Sequence, residues 1–332
     1  MTGCAFHRWA PRRPGPLGCQ PVDPTLDHVI TRVLVALCVV AAMTTLVSCG
    51  PDASTPSGPA CSPANPPEDG TTRHQIEFQG KERTYLRHLP PGYDGRTRLP
   101  VIMLFHGLGD DAEGIMAWTR MDELADTEDA IVVVPEGGRT VLAWDFSAGA
   151  DDPKSDVAFA HELLDRVKDT TCVDERRAYA AGFSNGSTLT LALACEDSRD
   201  FAAFGAVAGP YYDPHRCDSA PPRPIIYFHG ANDLVIPYAG AKTIIGDLPG
   251  VTEALTYWAA HNECDSPAKS SRVSAEVKVS RWTGCAANSD VSAYLIAGGA
   301  HAWPGGFDEA GSSGIRATQL IWEFFSEHTL LP

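Results

Sequence analysis

The stretch that most constrains this chain is Arg176-Arg-Ala-Tyr-Ala-Ala-Gly-Phe-Ser-Asn-Gly-Ser187, where a short apolar strand runs into Gly182-Phe-Ser-Asn-Gly186 and then into the small helix formers of residues 189–195. A serine therefore sits at a strand-to-helix corner. In a G-x-S-x-G elbow that corner is strained, and its glycines lack the Cβ atoms that would collide where strand and helix crowd together. The hydroxyl is then held out at the top of a sheet, which makes Ser184 the candidate nucleophile. An ordinary turn can carry the same pentapeptide. What favours the elbow is its context: β-rich residues before it, helix formers after it, and suitable partners downstream.

A serine hydroxyl is a poor nucleophile at neutral pH unless a base takes its proton, and the base works best when a carboxylate fixes its tautomer. Pro224-Ile-Ile-Tyr-Phe-His-Gly-Ala-Asn-Asp233 is an apolar strand ending in a turn that carries Asp233, and residues 292–296 form a strand followed by Gly298-Gly-Ala-His-Ala-Trp-Pro304. Ser184, Asp233 and His301 thus follow one another in chain order, each at a strand end. Among rivals, His261 falls at the end of a helical pattern, His161 on what reads as the polar side of a helix, and Asp247 in a turn with no strand before it. The remaining need is for backbone N–H groups aimed at a developing oxyanion. Val101-Ile-Met-Leu-Phe-His-Gly-Leu-Gly109 supplies the turn, with Leu108 N–H as one donor and Asn185 N–H as the other. His106 and His229, each before a glycine at a strand end, read as structural, bonding the turn backbone. The histidines lack metal-ligand spacing, so neither a metal nor another cofactor is expected.

The rest of the chain reads as alternating strands and helices. Residues 75–78 and 84–89 suggest a leading hairpin, 101–105 and 130–134 buried strands, 112–125 a helix, and 156–167 a helix with Val157, Phe159, Ala160, Leu163, Leu164 and Val167 on one side. Strands at 204–208, 224–228, 273–282 and 292–296 and helices near 251–260 and 315–325 follow. Uninterrupted apolar strands separated by helices imply an α/β architecture, a mostly parallel sheet covered on both faces. With 332 residues and 44% hydrophobic content the chain can bury a full core, and its formal charge of −16 argues against nucleic acid and polyanionic substrates.

The N-terminus reads as a targeting segment. Arg32 precedes an uncharged apolar run at 33–47, short for a membrane span and of the right length for a signal core, ending in Leu46-Val-Ser-Cys49. That tetrapeptide resembles a bacterial lipobox, in which cleavage before the cysteine frees a thiol for lipid attachment. A plain signal peptide or membrane anchor with a chance cysteine is the alternative. We therefore expect residues 1–48 to be a signal peptide with an upstream extension, 49–73 a lipidated cysteine and disordered tether, and 74–332 the catalytic domain. An exported chain is the setting for disulfides, and Cys61, Cys172, Cys195, Cys217, Cys264 and Cys285 allow fifteen pairings. Cys264 with Cys285 is paired first because the two bracket a closed excursion, Cys195 with Cys217 second, and Cys61 with Cys172 by elimination. Free buried thiols are the alternative.

Phe105-His-Gly-Leu-Gly109, Asp156-Val-Ala-Phe159, Val173-Asp-Glu-Arg-Arg-Ala-Tyr-Ala-Ala-Gly-Phe-Ser-Asn-Gly186, Ala194-Cys-Glu196, Ala206-Val-Ala-Gly209, His229-Gly-Ala-Asn-Asp233 and Gly299-Ala-His-Ala-Trp303 together resemble the secreted esterases grouped with polyhydroxybutyrate depolymerases and feruloyl or acetylxylan esterases. The resemblance spans roughly residues 75–328. It implies an α/β-hydrolase fold and ester hydrolysis, with Ser184 as nucleophile, Asp233 as orienting acid and His301 as general base. Ser187 departs from it, standing where relatives usually carry Gly or Ala. Trp144-Asp-Phe146 also departs, lacking the usual Asn and cysteine-rich continuation.

Between the elbow helix and Asp233 there is room for one strand and the loop 209–223, so no large cap is expected and the site should be open. Trp144 and Trp303 are read as lining it, with core packing as the alternative. The expected substrates are short-chain, hydroxyalkanoate, or feruloyl and acetyl glycan esters, possibly polymeric. An acyltransferase using a cell-envelope acceptor and a non-enzymatic surface binding protein are the competing readings. Contact with a membrane would be through the lipid anchor only, and the location extracytoplasmic or secreted. The lipidated cysteine is directly testable: Cys49→Ala should move the protein out of the membrane fraction or block its processing, and a variant that fractionates and migrates like the parent would exclude the anchor.

Overall fold

The computed structural model describes residue 61 and residues 68–138, 142–145, 152, 155–243, 246–307 and 314–331. Cys49 and the expected signal segment lie outside the described residues. The sheet begins with an antiparallel hairpin of β1 (Gly70–Phe78) and β2 (Lys81–Leu89), turned by Gln79 and Gly80, both at positive φ. Next come β3 (Leu99–Phe105), β4 (Ile131–Pro135), β5 (Val173–Phe183), β6 (Ala203–Val207) and β7 (Ile225–Gly230). A two-stranded excursion, β8 (Ala241–Thr243) with β9 (Gly246–Leu248), precedes β10 (Lys269–Arg272), β11 (Val277–Trp282) and β12 (Val291–Ile296).

Ten strands form one sheet in the order β1-β2-β4-β3-β5-β6-β7-β12-β11-β10. From β4 to β12 every neighbouring pair is parallel, and antiparallel pairs close both sides. Parallel strands need crossovers, and the helices that supply them cover both faces. One face packs α3 (Asp156–Thr170), α4 (Asn185–Glu196) and α6 (Val251–His261) against Val101, Met103, Phe105, Ala178 and Ala180. The other packs α1 (Ala112–Thr119), α2 (Met121–Glu128) and α7 (Ala317–Ser326) against Ile102, Leu104, Tyr179 and Ala181. Alternate residues of one strand thus serve opposite cores, which is why β3 is apolar throughout. Each large side chain so buried contributes about 1.5–3 kcal/mol. Among the described residues, the crossover from β6 to β7 contains only the one-turn α5 (Pro214–Cys217).

Local interactions redraw two expected elements. The helix expected over 112–125 is two helices, broken at Arg120, which takes a left-handed conformation (φ 54°) with its N–H bonded to Met116 O. The strand expected over 273–282 is a hairpin, because Val273 N–H bonds Val277 O and turns the chain between β10 and β11. His161 also differs from expectation. It is buried, not solvated, because Asp200 Oδ2 (2.7 Å) and Asp197 O (3.0 Å) give both ring nitrogens partners. Disulfides join Cys61 to Cys172, Cys195 to Cys217 and Cys264 to Cys285. The first ties the chain ahead of β1 to the start of β5, which corrects the disordered tether expected over 49–73: Cys61 is bonded to the domain and β1 already begins at Gly70, where its backbone pairs with β2. The second ties the end of α4 to α5. No helix among the described residues is long and apolar enough to cross a membrane.

The His161–Asp200 contact carries a pH signature. The hydrogen bond from His161, aided by the Lys168 charge, holds the Asp200 carboxyl well below the usual carboxylate range. A depressed native pKa stabilises the fold above the unfolded value near ~3.9, and the contribution is lost as pH falls through the native value. Asp200→Asn should therefore cost about 1–2 kcal/mol of unfolding free energy at pH 7. The gap to the parent, measured by urea unfolding, should narrow below about pH 4; a gap independent of pH would contradict this.

Candidate active site

The site is built where β5 ends. Ser184 has φ 54° and ψ −116°, a conformation that an L-residue adopts only when its surroundings over-determine it. Three features impose it. The Ser184 N–H donates to Val207 O at 2.9 Å, α4 begins at the next residue, and a Cβ at Gly186 would run into the carbonyl oxygens of Phe105 and His106. The strand end of β3 can therefore press directly onto the corner. Ser187, fully buried, donates its hydroxyl to Gly209 O at 2.9 Å, so the added polar group is satisfied.

Two later loops converge on Ser184. Asp233 follows β7, its side chain fully buried, and its Oδ1 accepts the N–H groups of Val235 (2.9 Å) and Ile236 (2.8 Å). His301 follows β12. Its Nδ1 lies 2.7 Å from Asp233 Oδ2 and its Nε2 lies 2.9 Å from Ser184 Oγ. A carboxylate can only accept, so Nδ1 carries the proton and Nε2 presents its lone pair to the serine hydroxyl. The approach of the two loops depends on Gly230, where a Cβ would strike the carbonyls of Gly299 and Ala300. The three residues expected from strand-end position are brought into one hydrogen-bonded line.

Two histidines support this line. His106 Nε2 accepts the Gly137 N–H (2.9 Å) and its Nδ1 bonds Gly107 O (2.7 Å), which fixes the turn after β3. His229 receives the Tyr227 hydroxyl at Nδ1 (2.9 Å) and donates from Nε2 to Ile236 O (2.9 Å). Burial pushes His229 below its ordinary pKa and Tyr227 well above its own, so both stay neutral and hold the Asp233 loop by hydrogen bonds. Leu108 lies in the turn closed by Asp110 N–H to Gly107 O, and Asn185 is the first residue of α4, where backbone N–H groups have no helical acceptor. A Cβ added at Gly107 would stand 3.5 Å from Ser184 Cβ, so that turn abuts Ser184.

The tryptophans are the correction. Trp144 and Trp303 do not line an open site; they are 3% and 0% exposed. The Trp144 indole N–H donates to His106 O (2.8 Å), and that of Trp303 donates to Thr318 Oγ1 (2.9 Å). Each ring has its polar edge satisfied inside the protein, and both belong to the packing beneath the loops. Exposed apolar side chains are instead Leu108, Leu234, Val235 and Phe307, all more than half exposed on the loops that follow β3, β7 and β12. The sequence signal for them was weak, since a single apolar residue in a loop is unremarkable. Among the described residues no cluster of three or more His, Cys, Asp or Glu is placed to hold a metal ion.

Fold and site together define an α/β-hydrolase with a serine, a histidine and an aspartate in line at the top of the sheet. The particular family follows from comparison. The Esterase family, described as "Putative esterase", matches residues 77–288, and the chain belongs to it. Feruloyl esterase C of Emericella nidulans is 31% identical over 289 residues, covering 82% of this chain and 94% of that one. The acetyl xylan esterase from Aspergillus awamori shares the fold with a TM-score of 0.58 at 14% identity, over 77% of this chain and 99% of that one. A feruloyl esterase module from Clostridium thermocellum, solved with sinapinate, superposes with a TM-score of 0.52 at 15% identity, over 73% of this chain and 87% of that one. This chain is a carboxylic ester hydrolase, related in sequence to feruloyl esterases.

Proposed function

We propose that the chain hydrolyses esters through a covalent acyl-enzyme formed on Ser184, with His301 as general base and acid and Asp233 as the group that orients it. The observation that carries this reading is the continuous chain from Ser184 Oγ through His301 to Asp233, at 2.9 and 2.7 Å. His301 Nε2 takes the serine proton as Oγ attacks the ester carbonyl, and the buried Asp233 carboxylate stabilises the imidazolium. The backbone N–H groups of Leu108 and Asn185 receive the oxyanion. His301 returns the proton to the departing alcohol, then activates the water that releases the acid.

Short-chain acyl, hydroxyalkanoate, and feruloyl or acetyl glycan esters are the proposed substrates. The relatives' activities on feruloyl and acetylxylan esters and the exposed apolar residues on the site loops support this range. The chain from Gly70, where β1 begins, acts as the catalytic unit, exported and held by lipid on Cys49, and the three disulfides favour an oxidising, extracytoplasmic setting.

Ser184→Ala and His301→Ala should each lower kcat roughly 10³-fold or more, with the double variant little worse than either, because the three groups act as a unit. Additive losses in the double variant, or a Ser184→Ala protein that keeps its activity, would count against the assignment. An open site leaves a long acyl chain partly in water, so the gain of about 0.8 kcal/mol per buried methylene should stop after the first carbons. Across p-nitrophenyl esters kcat/KM should peak at acetate to butyrate and fall by octanoate; a steady climb to palmitate would require an acyl tunnel.

A further inference from the structure

Asp156-Val-Ala-Phe159 takes no part in the serine–histidine–aspartate line, yet it is the hub of a buried network that ends at the oxyanion turn. Asp156 opens α3 with its side chain 5% exposed. Its Oδ1 accepts from Arg83 Nη1 at 2.9 Å, and its Oδ2 accepts the Asp145 N–H at 2.5 Å. The Asp156 N–H returns a bond to Asp145 O at 2.9 Å. Arg83, on β2, donates from Nη2 to Glu136 O at 2.7 Å, with its guanidinium 3.8 Å from the centre of the Phe159 ring. One ion pair therefore grips the chain at Glu136 and again at Asp145.

Next to those two grips, the same stretch of chain makes four hydrogen bonds to the site. Gly137 N–H donates to His106 Nε2 (2.9 Å), Leu142 O accepts from Gly109 N–H (3.1 Å), the Trp144 indole donates to His106 O (2.8 Å), and the Trp144 backbone N–H donates to Asn185 Oδ1 (2.8 Å). Three of these reach the strand end and turn that contain Leu108, and the fourth reaches Asn185. Every bond bears on one of the two residues whose N–H groups receive the oxyanion in the proposed mechanism.

We propose that Arg83 and Asp156 are positioning residues for the oxyanion hole, acting through Glu136, Gly137, Leu142, Trp144 and Asp145. The proposal rests on the reading of Leu108 and Asn185 as oxyanion donors. Such donors lower a barrier only when already aimed at the site of developing charge, so whatever fixes their backbone acts on the transition state more than on substrate binding. Stability alone is a weak reason for the pair, because replacing a buried ion pair by neutral groups is often without cost. Here Arg83 Nε is buried with no hydrogen-bond partner, so the pair is incompletely satisfied. Burial pushes the Asp156 carboxyl above its ordinary range, against the pull of Arg83 and the Asp145 N–H.

The test compares the parent with Arg83→Met/Asp156→Asn, which removes both charges and leaves neither buried alone, and with Gly138→Ala. The latter keeps both charges but sets a Cβ 2.7 Å from Arg83 Nη1, so that the guanidinium must shift. Folded sites are counted by titration with a fluorophosphonate, and kcat is expressed per folded site. On p-nitrophenyl acetate the double variant should lose roughly 30- to 100-fold in kcat with KM within about 3-fold of the parent. Affinity for an alkylboronic acid, which forms a tetrahedral adduct on serine, should fall by about the same factor. Gly138→Ala should lose kcat several-fold in the same pattern. Parent-like kcat per folded site in both variants, or losses confined to the folded fraction or to KM, would overturn the proposal. Ser184→Ala is the separating control: if it stays active the site reading itself has failed, whereas an inactive Ser184→Ala beside parent-like positioning variants rejects only the positioning role.

Discussion

The structure depends on a close backbone contact at one corner. Ser184 is held at φ 54° and ψ −116°, which costs on the order of 1–3 kcal/mol, and the neighbouring strands and helix supply the packing that offsets it. The contact requires Gly186 because the end of β3 occupies the space where its Cβ would be. In return the corner places Ser184 beside the β3 turn, and sets the first N–H of α4 directly after it. One strained residue thus fixes the proposed nucleophile, one proposed oxyanion donor and the position of the other.

Asp233 and His301, the proposed acid and base, obey the same logic at lower cost. β7 and β12 are parallel neighbours, so their C-terminal loops leave the sheet on the same side. Gly230 lets the two loops touch, and the Asp233 carboxylate, buried and receiving two backbone N–H groups, is locked before His301 reaches it. Neutral His229 and Tyr227 close the loop from below. The buried Arg83–Asp156 pair does for the β3 turn what these groups do for the acid loop, which makes the site a set of backbone segments each pinned by its own polar anchor.

The parallel core and its strand-end residues were legible because they are one-dimensional signals. An apolar run followed by a glycine turn marks a strand end, and Ser184, Asp233 and His301 each stand at one. What escaped depends on how loops fold back. Trp144 and Trp303 sit in glycine- or aspartate-flanked loops that look exposed in sequence, yet both indoles point inward to partners at His106 and Thr318. The break at Arg120 and the turn at Val273 arise from single backbone hydrogen bonds inside otherwise continuous patterns. His161 looked polar because its partners, Asp197 and Asp200, lie on the segment after α4, far along the chain. Asp156-Val-Ala-Phe159 was visible as a motif, but its purpose was not, since Arg83, Glu136 and Asp145 are joined to it only in the fold.

In the proposed mechanism one hydroxyl, activated by one histidine, carries the chemistry. The most direct measurement is reaction of the intact protein with diethyl p-nitrophenyl phosphate, followed by p-nitrophenol release, intact mass and peptide mapping. One equivalent of p-nitrophenol and one diethylphosphoryl adduct per chain are expected, on Ser184, with ester hydrolysis lost in step with labelling. An adduct on another residue, or full hydrolysis by a protein labelled at Ser184, would contradict it.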